Sequence, residues 1–405
     1  MDKYNKEKQK SRRQSFKQFR TNPYQNDMAT AAKGGMGMAK ESSSSSFPSD
    51  YTMDDLKRDL QTALQLELST IPPYLCALYS IKEGTNKMAT EIIKSVVIEE
   101  MLHMVMVANL MNAIGATPVV GKVKGEPFVP SYPTHLPGNV DNTLVINLGA
   151  MSERQIKAFC KIEHPGDEGL GVPKRPDDPD GFRSIGEFYH AIRGSLIHFE
   201  EEAKAKGGTI FTGTKNQVTP EHYYGAGGGI IPVHCLDDAL AVIDEIVEQG
   251  EGINGSIFAE KYDPEHNNLE LFGPEVEEYA HYFRFKEVLH GRFYQPTDSA
   301  HRDSPNKGLP TGEPIDIDWD AVYNMADNPK MGDYEVGSEI YKKMYDFNLT
   351  YKALLDNLNT ACNGNPDALR EGVMVMYDLK YKAAELMKIP GKDGFNVGPS
   401  FEYIE

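Results

Sequence analysis

Two pairs of side chains in this sequence have the spacing of metal ligands on a helix. Glu100 and His103 form one Glu-x-x-His, and Glu278 and His281 form another. Residues three apart share a helical face, so each pair can converge on one point. Both pairs lie within apolar stripes. The first runs Ile93, Val96, Glu100, His103, Val107, Leu110, Ile114, and the second continues from Glu278 and His281 to Phe285 and Leu289. Glu67 interrupts a third stripe, Leu60, Leu64, Ile71, Leu75, Leu78, in the stretch LQLELSTIPPYL. A buried carboxylate without a partner costs several kcal/mol, on the order of what a domain can spare. Cations answer that cost at all three places at once. A fourth helical stretch, LDDALAVIDEIVEQGEG, offers Glu251 as its ligand, with Glu248 in reserve. Glycines flank Glu251, and close approach of backbone to a site would justify them. Glu67, Glu100, His103, Glu251, Glu278 and His281 then make a six-ligand, carboxylate-bridged dinuclear centre, with Glu100 and Glu278 bridging and Glu67 and Glu251 terminal.

The elements that must position these residues are legible in outline. TMDDL caps a helix near Thr52 that runs to about Lys82. A second long helix covers roughly 86–115 and ends at Gly115 and Pro118. The Gly- and Pro-rich stretch that follows includes TLVINLG, expected as a short strand. SERQIKAFCKIE reads as a brief helix and IGEFYHAIRGSLIHFEEEAKAK as an amphipathic one. PEVEEYAHYFRFKEVLHGR reads as a helix with Pro274 near its start. After a linker over 296–333, helices over about 335–361 and 366–388 form a hairpin. Two long helices, a long crossover and two further helices outline an all-α fold, the ferritin-like four-helix bundle with a crossover insertion over 116–235 and a C-terminal helical hairpin. Residues 51–295 form the bundle domain, and 334–405 the hairpin and tail. Pro72 and Pro73 are expected to kink the first helix. Glu187 and His190 repeat the Glu-x-x-His spacing but fall off the local stripe Ile185, Tyr189, Ile192, Leu196, Phe199, which places them outside the centre.

Composition narrows the function. The chain has 405 residues and a net charge of −18. Residues 1–40 carry +7, which leaves −25 for the rest, a body unsuited to nucleic acid. Residues 1–50 read as a basic, Ser-rich disordered leader. No apolar run is long enough to span a membrane. The four cysteines are scattered with no Cys-x-x-Cys, so reduced thiols in a cytoplasmic setting are expected.

The segments LELSTIPPYL, EEMLHMVMVANLMNAIGATP, EFYHAI, EQGEG, HYFRFKEVLHGR and GNPDALREGVMVMYDLKYKAAELM resemble the ferritin-like domain, and the region after it, of the iminophenyl-pyruvate dimer synthase family. The resemblance covers roughly residues 51–405. It implies oxidative coupling of aromatic amino-acid-derived imines, in a family linked with iron or haem. Carboxylate and imidazole donors by themselves suit iron or manganese over thiolate-loving metals. Haem, with His103 or His281 as axial ligand, would leave the buried glutamates unexplained. The expectation is therefore an iron-dependent oxidoreductase acting with dioxygen or peroxide on a small aromatic substrate, with homo-oligomers allowed. A ferroxidase or peroxide scavenger is the alternative, and a non-catalytic scaffold a third.

Overall fold

The computed structural model describes residues 47–404, apart from 124–125, 167–172, 175–180, 214, 224–228, 253–255 and 260–278; side chains are not described for 122–127. Glu278, the start of its helix at Pro274 and residues 1–46 of the expected leader lie outside the described residues. Among those described are eight α-helices: α1 (Met53–Ser80), α2 (Lys87–Ala113), α3 (Glu153–Ile162), α4 (Ile185–Ala205), α5 (Leu236–Glu251), α6 (His281–His290), α7 (Glu339–Cys362) and α8 (Ala368–Leu386). A two-residue antiparallel ladder joins β1 (Lys122–Val123) to β2 (Glu126–Pro127), with Lys122 opposite Pro127. The all-α reading holds. TLVINLG is not a strand of its own, since it contributes only the bridge between Ile146 and Thr134.

Local chemistry explains the ends of α1. Thr52 accepts from the Asp55 amide at 3.3 Å while the Asp55 carboxylate accepts from the Thr52 amide at 2.8 Å, so two orphan donors are satisfied together. Both prolines lie inside α1, and the helix continues through them. Pro73 cannot donate to the Ser69 carbonyl four residues back. The Tyr132 hydroxyl donates to that carbonyl instead, at 2.7 Å.

α1 and α2 pair along their length and serve two further pairs. α4 and α5 pack on each other and on α1 and α2 respectively. α3 and α6 likewise pack on each other and on α1 and α2. The stretch expected as a crossover insertion therefore supplies two helices, α3 and α4, to the bundle itself. The reason is the apolar face each carries: Ile156, Phe159 and Ile162 on α3, and Tyr189, Ile192 and Leu196 on α4, are all buried. The C-terminal hairpin packs on the same core, α7 against α2 and α8 against α1. The 296–333 stretch, expected as a linker, is tied down across the α1–α2 turn. Tyr323 donates to the Ser80 carbonyl at 2.7 Å, and the Asn86 side chain exchanges two 2.8 Å bonds with the Asp318 backbone.

Candidate metal centre

The centre forms where the α3–α6 pair meets the α4–α5 pair. α1 contributes Glu67, α2 contributes Glu100 and His103, the residue after the last turn of α3 contributes Glu163, and the first residue of α6 contributes His281. The five are between 0% and 5% exposed. They form two groups that could each hold an ion, Glu67–Glu100–His103 and Glu100–Glu163–His281, with Glu100 in both. Nδ1 of His103 lies 3.5 Å from Glu67 and 4.0 Å from Glu100. Nδ1 of His281 lies 2.8 Å from Glu100 and 3.5 Å from Glu163. The two imidazole rings face each other at 5.6 Å.

Outer contacts fix how each donor is presented. Gln249 on α5 gives its amide N–H to Glu245 at 2.9 Å, which turns its oxygen toward His103. That oxygen accepts from Nε2 of His103 at 2.9 Å, so Nε2 carries a proton and Nδ1 is the nitrogen turned to the centre. On the other side Glu99 accepts from Nε2 of His281 at 2.7 Å, with the same consequence. Glu99 is itself paired with the fully buried Arg284. Tyr189 of α4 donates to Glu67, Tyr74 of α1 donates to Glu163 at 2.5 Å, and Thr70 donates to Glu100 at 3.0 Å.

The electrostatics are those of a site built for positive charge. Burial, followed by the neighbouring Glu163 and Glu67, pushes Glu100 up to about 8. Burial works against ionised Glu67 as well, but the contacts with His103, Glu100 and Tyr189 win and hold it below the usual carboxylate range. Burial should also discharge both histidines, yet the surrounding carboxylates raise His103, and raise His281 much further. Nδ1 of His281 is buried and, for all its closeness to Glu100 and Glu163, has no hydrogen-bond partner of good geometry. A buried imidazole nitrogen without a hydrogen-bond partner, beside two carboxylates, is a donor set that a cation would satisfy. The oxygen and nitrogen donors fit a metal site at each group, with the donor chemistry that hard or borderline cations prefer.

The fold that carries this centre can be placed by comparison. A family profile described as Ferritin-like matches residues 60–290. The chain belongs to the ferritin-like family. A crystal structure of a ferritin-like protein from Caulobacter vibrioides superposes with a TM-score of 0.57 at 23% identity, covering 88% of this chain and 100% of that one. No curated protein matches the chain.

Within this ferritin-like chain the sequence-predicted ligands separate into those brought together and those not. Glu67, Glu100, His103 and His281 converge. Glu278 lies outside the described residues. Glu251 is placed elsewhere: its carboxylate accepts from the amides of Gly166 at 3.0 Å and Gly186 at 2.8 Å, so it joins the segment after α3 to the first turn of α4. A negative group suits a helix N-terminus, and the two amides together occupy both oxygens. Its flanking glycines had suggested close backbone approach to a metal. The close approach occurs at Gly186 instead, where a Cβ would fall 2.4 Å from the Glu251 carboxylate. α5 reaches the centre through Gln249, and the reserve Glu248 is not in either donor group. Sequence reasoning missed Glu163, although the signal was present: it falls in phase with Ile156, Phe159 and Cys160. It also missed Glu99 and Arg284. Glu187 binds the Arg183 amide and Lys174 away from the centre, while Tyr189 reaches inward to Glu67.

Proposed function

We propose that this chain is an iron-dependent oxidoreductase whose dinuclear centre would be held by Glu67, Glu100, His103, Glu163 and His281, Glu100 being common to its two donor groups. The observation that carries the reading is the sharing of Glu100 between two buried donor groups. When bound, an iron pair supplies reduction of dioxygen or peroxide coupled to oxidation of a second molecule. The protein's part is positional. Gln249 and Glu99 hold both Nδ1 atoms inward, Tyr189 and Tyr74 fix the terminal carboxylates, and the enclosing helices exclude water. The likeness of its segments to iminophenyl-pyruvate dimer synthases supports a small aromatic imine as the molecule oxidised, in the cytoplasm, where its four thiols stay free as they are here.

The near-complete burial of all five donors favours one other reading, iron oxidation or peroxide removal without an organic substrate. Elemental analysis and a visible spectrum on protein from iron-supplemented cells, beside Glu100→Ala/His103→Ala, test the centre. About two irons per chain, no Soret band and loss of metal in the variant are expected. Metal-free protein with an intact fold would overturn the reading, and a Soret band would replace it with haem. Dioxygen consumption with and without aromatic keto-acid imines then separates the two activities.

A further inference from the structure

The two halves of the centre differ in what stands behind each histidine. The phenol contacts are matched, since Tyr189 serves Glu67 and Tyr74 serves Glu163. The imidazole contacts are not. His103 is backed by the neutral amide of Gln249 at 2.9 Å, while His281 is backed by the carboxylate of Glu99 at 2.7 Å. A charge-assisted partner binds the ring N–H more strongly than a neutral one, and it enriches the opposite nitrogen as a ligand. Arg284 makes that charge tenable inside the bundle: it is fully buried, pairs with Glu99, and gives its other terminal nitrogen to Ser95 at 2.8 Å. An ionised Glu99 without it would be an uncompensated buried charge.

We infer that the two metal positions are inequivalent, the one at His281 and Glu163 binding the tighter ion, and that Glu99 and Arg284 are the positioning residues that make it so. This rests on the metal reading above. The first ion to arrive occupies the His281 half, and the second completes the pair at Glu67 and His103.

The test is a cobalt(II) titration of the full, metal-stripped chain, followed by calorimetry and by the visible bands of the bound ion. Two steps at least tenfold apart are expected. Glu163→Gln should remove the tighter step and Glu67→Gln the weaker. Glu99→Gln/Arg284→Met, which removes both buried charges together, should weaken the tighter step about 10- to 100-fold and leave the weaker in place. Gln249→Leu should affect only the weaker step. Far-UV circular dichroism checks that each variant is folded. If the double variant fails to fold, the wild-type isotherm with the two single carboxylate variants still decides the order of filling, and Glu99→Gln alone, expected to weaken the tighter step, decides what sets it. Two ions bound with indistinguishable affinity overturn this inference and leave the metal reading standing, as does loss of the tighter step in Glu67→Gln or a folded double variant with both steps unmoved. No cobalt bound at all overturns both.

Discussion

At the scale of residues, the molecule places more ionisable groups in its interior than its core requires. Besides the five converging donors there is Glu287, 2% exposed, which accepts from the Tyr294 amide at 2.7 Å. Burial pushes it up to about 8, against the weaker pulls of the Tyr294 amide and then Arg284. An acid whose folded pKa exceeds its unfolded value is neutral in the fold while already ionised in the unfolded chain. Its contribution is therefore intact below the ordinary glutamate range, and stability falls as pH rises from there toward 8. Glu287→Gln should flatten that slope. The variant is expected to match the wild type near pH 5 and to melt higher than it at pH 8, in thermal scans on metal-free protein. Equal melting temperatures at both pH values would show that Glu287 is already ionised in the fold. Glu163 teaches a related lesson. It sits one residue past α3, where a sequence reader assigns a solvated cap, yet the apolar phase of that helix carries it inward beside Tyr74.

At the scale of elements, capping and close approach decide which segments hold their places. Thr52→Ala removes a side-chain acceptor for the Asp55 amide, and should cost about 1 kcal/mol in urea unfolding. Gly213 is more demanding. Its amide donates to the Ala113 carbonyl at 2.9 Å at the end of α2, and a Cβ there would stand 2.0 Å from the Asn112 carbonyl oxygen. Backbone cannot yield as a side-chain tip can. Gly213→Ala should destabilise by about 3 kcal/mol, read from the same denaturation curves, and an unchanged midpoint would mean that this loop is free to lift from α2. Gly186 shows where the close approach that the glycines beside Glu251 suggested is made. Glycine, acid and helix end are features that a metal site and a helix-to-helix clasp share, and only the direction of the carboxylate tells them apart.

At the scale of the whole molecule, residues 47–405 form one compact unit. The hairpin α7–α8 belongs to it: Met344, Phe347, Tyr351, Leu354 and Leu355 join the same core as α1 and α2, and Asn112 donates to the Cys362 carbonyl at 2.8 Å. Calorimetry on the chain should therefore show one main transition for bundle and hairpin together. A separate, lower transition lost on removing residues 334–405 would show that the hairpin is an independent domain. No helix among the described residues is long and apolar enough to cross a membrane.

By itself the sequence determined the helices and four of the five converging donors, because apolar periodicity records which face is buried and a carboxylate or imidazole within it stands out. Glu67, Glu100, His103 and His281 were legible for that reason. Only the tertiary structure decided which helices meet there. Whether α3 and α4 are insertion or bundle, whether Glu251 or Glu163 faces inward, and whether Glu99 or Gln249 stands behind a given ring depend on contacts between segments up to 185 residues apart. Periodicity within one helix carries no information about its neighbour, so those choices are settled by packing.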